Sequence, residues 1–208
     1  MNHQDSQQYS DQSDPALRTR AIESLLLEKG LITPAAIDAV AAMLEHDIGP
    51  LNGARVVARA WSDPEYKERL LADGNAALEE LGLTAPTELV VVENTDGVHN
   101  VIVCTLCSCY PWTLLGLPPT WYKSPEYRAR VVIEPRTVLA EFGVHLDQST
   151  EIRVWDSTAE TRYLVLPRRP AHTAGWSVDD LVAIVTREAM TGVALITDPP
   201  DQPTRRRA

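Results

Sequence analysis

The sequence predicts an α+β protein, on three observations. The stretch up to about residue 82 carries helix starts and stops but no strand-like run. After Pro86 the pattern changes to short runs rich in β-branched residues. Helix-start signals then return between and after those runs. With 208 residues the chain can build one sizeable core with an appendage.

Taken in order, residues 1–14 are rich in Gln, Ser and Asp, have little to bury and are predicted to be disordered. A helical region covers 15–82. Asp14-Pro15 opens its first helix, Leu17, Ala21, Ile22, Leu25 and Leu26 give it apolar surface, and Gly30 ends it. Thr33-Pro34 combines an N-cap with proline at the first helical position, and Gly49-Pro50 reads as the close of that second helix. Asp63-Pro64 opens a short helix ending near Gly74. None of these helices is long and apolar all round, so the N-terminal part is expected to pack on something else, such as another subunit.

A second region covers 83–196. The runs 89–93 and 100–103 read as strands, the second leading straight into Cys104. Ser124-Pro125-Glu126 and Glu134-Pro135 each start a helix. Residues 151–155 and 162–166 alternate well enough to predict two antiparallel strands. Ser177 caps a last helix, with Asp179 and Asp180 in the first turn where the dipole favours them and Val178, Leu181, Val182, Val185 and Ala189 as its buried stripe. Residues 197–208 read as a flexible tail.

Charge and composition exclude some roles. A net charge of −10 argues against nucleic acid or an anionic membrane surface as partner. No apolar run approaches the roughly 20 residues of a membrane span. The polar N-terminus lacks a signal-peptide core, so a cytoplasmic, reducing location is expected, where thiols stay available.

The three cysteines of the chain all lie within six residues, at Cys104, Cys107 and Cys109. An odd number at this spacing is no disulfide framework. Cys107 and Cys109 flank one residue, so their sulfurs can chelate a metal together with the amide nitrogens of Ser108 and Cys109. Cys104 can cap that plane from one side and leave the opposite position open, as a catalytic site requires. Amide nitrogens ionise for strongly acidic ions of square or octahedral preference, for which trivalent cobalt or iron is a natural occupant. The same thiols also suit a structural zinc, with His99 as fourth ligand, in a non-catalytic interaction subunit.

The run VCTLCSCYP, followed by Trp112 and LGLPPTWYKSPEYRARVV, closely resembles the α subunit of nitrile hydratase. The similarity extends over about residues 15–196, through ARVVARAWSDPEYKERLLADG, ENTDGVHNVIV and EIRVWDSTAETRYLVLP. The nearest other family with this motif is thiocyanate hydrolase. The resemblance implies a layered α-β-β-α metal-binding domain behind an N-terminal helical arm. It implies hydration of a nitrile to the amide at a low-spin, non-corrin Co(III) or Fe(III) centre. The ligands would be the sulfurs of Cys104, Cys107 and Cys109 and the amide nitrogens of Ser108 and Cys109. Cys107 would be a sulfinic and Cys109 a sulfenic acid, both steps on the ordinary oxidation ladder. Thr105 and Tyr110 match the cobalt type.

The resemblance also implies a heterodimer with a β subunit, often doubled, and a small activator protein that delivers cobalt. Trp112 would wall the open position for an apolar nitrile, whereas thiocyanate hydrolase has Arg there. Asp156, Glu160 and Arg162 match positions around the metal site in the family. Asp156 shares a strand face with Ile152 and Val154, so its carboxylate is expected to point inward and pair with Arg162. Two departures are visible: the Gln that some members place before the strand at Leu89 is absent, and His172 replaces a usual Gly.

Overall fold

The computed structural model describes residues 14–46 and 48–196. The disorder expected for the N-terminus and the tail expected for 197–208 therefore fall, but for Asp14, outside the described residues. The chain divides into two compact units, one ending at His46 and one beginning beyond it.

The first unit holds α1 (Asp14–Glu28) and α2 (Pro34–His46). Gly30, at φ 66°, turns the chain between them, with the Gly30 and Leu31 amides bonding the carbonyls of Leu27 and Leu26. Leu17, Ile22, Leu25, Leu31 and Val40 are all exposed, so this unit does not bury its own apolar surface.

In the second unit, Pro opens α3 (Pro50–Ser62), α4 (Pro64–Ala72), α8 (Pro125–Ile133) and α9 (Pro135–Glu141), where its missing N–H costs nothing. Gly49-Pro50 therefore starts a helix instead of ending one: α2 stops at His46 and Pro50 is the first residue of α3. That helix is the centre of the core. Val56 and Val57 are fully buried, each contributing about 1.5–3 kcal/mol. It packs against α4, against α6 (Trp112–Leu115), and against α10 (Val178–Ile184) and α11 (Arg187–Thr191). The single C-terminal helix expected after Ser177 is thus two. Val185 is extended, and Thr186 caps α11 through its hydroxyl on the Ala189 amide. Three shorter helices complete the set of elements before and after the claw: α5 (Gly74–Glu79), α7 (Thr120–Lys123) and the turn of 3-10 helix at Ala171–Thr173.

Four strands form two two-stranded sheets: β1 (Glu88–Glu93) with β4 (Thr161–Leu166), and β2 (Val98–Val103) with β3 (Glu151–Asp156), both pairs parallel. The expected antiparallel pairing of 151–155 with 162–166 is corrected. These strands follow one another closely but lie in different sheets. Alternation reports which face of a strand is buried and says nothing of its partner. The β2-to-β3 connection contains α6 to α9, the long crossover that parallel pairing requires. The register Val103↔Asp156 brings both strands to their carboxyl ends together, the edge where parallel sheets receive ligands. The three cysteines leave from that edge.

Candidate metal centre

Cys104 follows β2 directly and is buried, Cys109 is half-buried, and Cys107 is exposed. The three sulfurs lie within 4.8 Å of one another. Cys104 Sγ to Cys107 Sγ is 3.4 Å and Cys107 Sγ to Cys109 Sγ is 3.2 Å. These are contacts between free thiols, far longer than the roughly 2.05 Å of a disulfide. A backbone nitrogen turns inward as well. Cys107 N–H donates to Cys104 Sγ at 3.3 Å. The three sulfurs thus converge on one point, with Leu106 standing out in solvent beside it.

The protons of this cluster are unequally held. Hydrogen bonds from Cys109 and Cys104, and then from the Ser108 amide, lower the Cys107 thiol to about 7. Burial, followed by the neighbouring sulfurs, pushes Cys109 up to about 12. Cys107 and Cys109 resist ionising together, and a bound cation is what removes that resistance. The donor set of soft sulfurs therefore fits a transition metal.

A family model for the nitrile hydratase α chain matches residues 13–194. The chain belongs to that family. It is 54% identical over 185 residues to the cobalt-containing nitrile hydratase subunit α of Pseudonocardia thermophila, covering 88% of this chain and 91% of that protein. A solved double mutant of the Fe-type nitrile hydratase of Comamonas testosteroni matches with a TM-score of 0.88 at 43% identity, over 95% of this chain and 100% of that one. The γ subunit of thiocyanate hydrolase from Thiobacillus thioparus is 44% identical over 196 residues, 88% of this chain and 80% of that protein.

In this chain the claw is braced from outside. Asp156, at the end of β3, accepts from Thr105 N at 2.9 Å and from Thr105 Oγ1 at 2.6 Å. Tyr122 OH donates to the Cys109 carbonyl at 2.9 Å, and Arg128 Nη1 to the Cys107 carbonyl at 3.1 Å. Tyr127 OH ties the end of β2 through the Ile102 carbonyl at 2.7 Å. Trp121, Tyr122, Tyr127 and Phe142 stack edge to face behind these contacts and hold their donors in place. Tyr110 is buried and meets the Tyr122 ring at 4.7 Å.

Several expected residues sit elsewhere than the sequence suggested. Asp156 is exposed and turned to Thr105, and its strand neighbours no Arg162. Arg162 lies on β4, in the other sheet, and donates to the Thr158 and Thr161 carbonyls. Its charge still reaches the claw, where it lowers the Cys109 thiol slightly against the larger effect of burial. Glu160 is exposed; its carboxylate accepts from Thr158 Oγ1 at 3.1 Å and its carbonyl from Glu88 N–H at 3.0 Å. Trp112 begins α6, half-buried, three residues beyond Cys109.

His99 is not available as a fourth ligand. Five residues back along β2 puts it about 16 Å from Cys104, buried, with Nε2 on the Gly192 carbonyl at 2.7 Å and Nδ1 facing Asn94. Among the described residues, the group of His, Cys, Asp or Glu able to hold a metal is the three sulfurs alone, so the zinc site expected with His99 loses that fourth ligand. Sequence reasoning missed Tyr122 and Arg128. They are 13 and 21 residues from the carbonyls they hold, and neither residue type carries a metal-site signature.

Proposed function

We propose that this chain is the α subunit of a cobalt-type nitrile hydratase, which adds water across the C≡N bond of a nitrile to give the amide. The observation that carries the reading is the convergence of three sulfurs within 4.8 Å at the carboxyl end of β2, with the Cys107 amide turned onto Cys104 Sγ. The sulfurs of Cys104, Cys107 and Cys109 and the nitrogens of Ser108 and Cys109 would hold the ion. Cobalt is favoured over iron by the identity to the cobalt-containing relative and by Thr105 and Tyr110. A bound trivalent ion supplies Lewis acidity, drawing electron density from a nitrile so that its carbon accepts a nucleophile.

The chain's own groups do the rest. Oxidised by dioxygen, Cys107 as sulfinate and Cys109 as sulfenate would place oxygen atoms at the claw's mouth. The Cys109 oxygen or a water beside it would attack the nitrile carbon as a C≡N π pair moves to nitrogen and is protonated. Where the sulfenate attacks, a water would then release the amide and restore the Cys109 oxygen. Trp112 offers an apolar wall to the substrate's side chain. Asp156, Tyr122 and Tyr127 fix the loop so that these atoms do not drift, since small misplacement costs large factors in rate. A β subunit completes the site in an αβ heterodimer, possible also as α2β2, and a small activator protein delivers the metal.

The test is co-expression with a β chain and activator in cobalt medium. We expect one cobalt per α chain, propionitrile hydration, no turnover of thiocyanate, and a tryptic peptide carrying two added oxygens on Cys107 and one on Cys109. Stoichiometric zinc in place of cobalt, with unmodified thiols, overturns the reading. Thiocyanate hydrolysis without nitrile hydration transfers the chain to the other activity.

A further inference from the structure

The Cys107 carbonyl oxygen and the Ser108 nitrogen belong to one peptide unit, and resonance couples them. A peptide nitrogen that serves a metal as an anion shares its charge with that oxygen. Arg128 Nη1 donates to this oxygen at 3.1 Å, the one claw carbonyl that a charged side chain holds. Arg128 projects from α8 and is only half-exposed, and its Nε is buried with no hydrogen-bond partner among the described residues.

No carboxylate pairs with Arg128 among the described residues. Arg130, two residues along the same helix, contrasts with it: that guanidinium is saturated by Glu134 at 2.7 Å and Glu141 at 2.6 Å. A half-buried cation without an acidic partner is costly unless negative charge stands nearby. The claw supplies it, because three anionic sulfurs and two anionic nitrogens exceed the charge of a trivalent ion.

We propose that Arg128 is a positioning residue of the metal claw. Its guanidinium holds the Cys107–Ser108 peptide with its nitrogen toward the sulfurs and balances the surplus negative charge of the donor set. The inference rests on the metal reading above and adds a role for a residue outside the cysteine motif. It predicts two readouts other than activity, the ease of cobalt loading and the energy of the visible sulfur-to-metal absorption band.

The experiment compares wild type, Arg128→Lys, Arg128→Met and Arg130→Gln, each co-expressed with its β chain and the activator across a cobalt series. Loss of a group that orients metal ligands costs roughly 10–100-fold in metal affinity. Arg128→Met is expected to need at least about tenfold more cobalt for half-loading and to shift the band to longer wavelength. Arg128→Lys, which keeps the charge, is expected to recover most of both, and Arg130→Gln to match wild type. Arg128→Gln carries the same expectation as the Met variant should the latter fail to assemble. A neutral variant with wild-type loading and an unmoved band overturns the role of Arg128, as does a Lys variant impaired as severely as Met. Wild type that takes up no cobalt overturns the functional reading instead.

Discussion

Thr105 and His99 show how single side chains tie the claw's strand to its surroundings. The Thr105 hydroxyl and amide both bond Asp156, and both groups are exposed, so water competes with the pair. Thr105→Val is expected to cost about 1 kcal/mol in the apo protein, and Thr105→Ser almost nothing. At roughly 2–4 °C per kcal/mol for a chain of this size, thermal melting resolves the difference. His99 is buried as the neutral imidazole, its Nε2–H on the Gly192 carbonyl. Burial lowers its tendency to take a proton below the ordinary value of 6.5, against a smaller opposing pull from that carbonyl. Below pH 6.5 the unfolded chain therefore binds more protons at this site than the folded one. Its contribution to stability is complete above 6.5 and is lost as pH falls through the lowered folded value. Urea unfolding between pH 7.5 and 5 should show a stability decline that is shallower in His99→Gln; equal slopes in the two proteins would exclude His99 as its source.

The elements are held in register by close backbone approaches that admit no side chain. Gly192 ends α11 at φ 87°, and a Cβ there would run into the Asn100 carbonyl of β2. The same residue accepts the His99 hydrogen bond, so the turn and the strand are fastened at two points. Gly192→Ala combines left-handed strain of about 1 kcal/mol with that clash and should destabilise by roughly 2–4 kcal/mol, several degrees in melting temperature. Gly30→Ala is the control: its φ is also positive, but open space surrounds it, so only the smaller strain cost is expected. Caps made the starts of α4, α8 and α10 readable, since Asp63, Ser124 and Ser177 each bond an amide three residues on, whereas Gly49 offers no side chain to mark the start of α3. The break between α10 and α11 was not readable, because Val185 and Ala189 continue the apolar spacing through it.

At the scale of the molecule, the α1–α2 unit leaves Leu17, Ile22, Leu25, Leu31 and Val40 in solvent, a surface that matches a subunit that completes itself on a partner. Hydrogen exchange over residues 15–46 is expected to slow severalfold when the β chain is added. Unchanged exchange there, in a complex that forms, would place the partner elsewhere. The same scale explains why the metal site was legible and its bracing was not. Three cysteines in six residues announce their chemistry through spacing. Arg128 and Tyr122 reach the claw only because α7 and α8 cross back over the end of β2. Asp156 was picked out from its strand, yet the partner inferred for it was wrong, because β3 and β4 belong to separate sheets.

The sequence by itself determined the clustering of three cysteines, the helix starts that a cap residue and proline announce other than at Gly49-Pro50, and the four strands, because residue type, capping and periodicity are local properties of the chain. Only the tertiary structure decided that the strands pair in parallel, that Asp156 meets Thr105, that His99 turns away to Gly192, and that a lone guanidinium rests on the Cys107 carbonyl. Those facts depend on which distant segments meet, and that is fixed by packing the whole core at once.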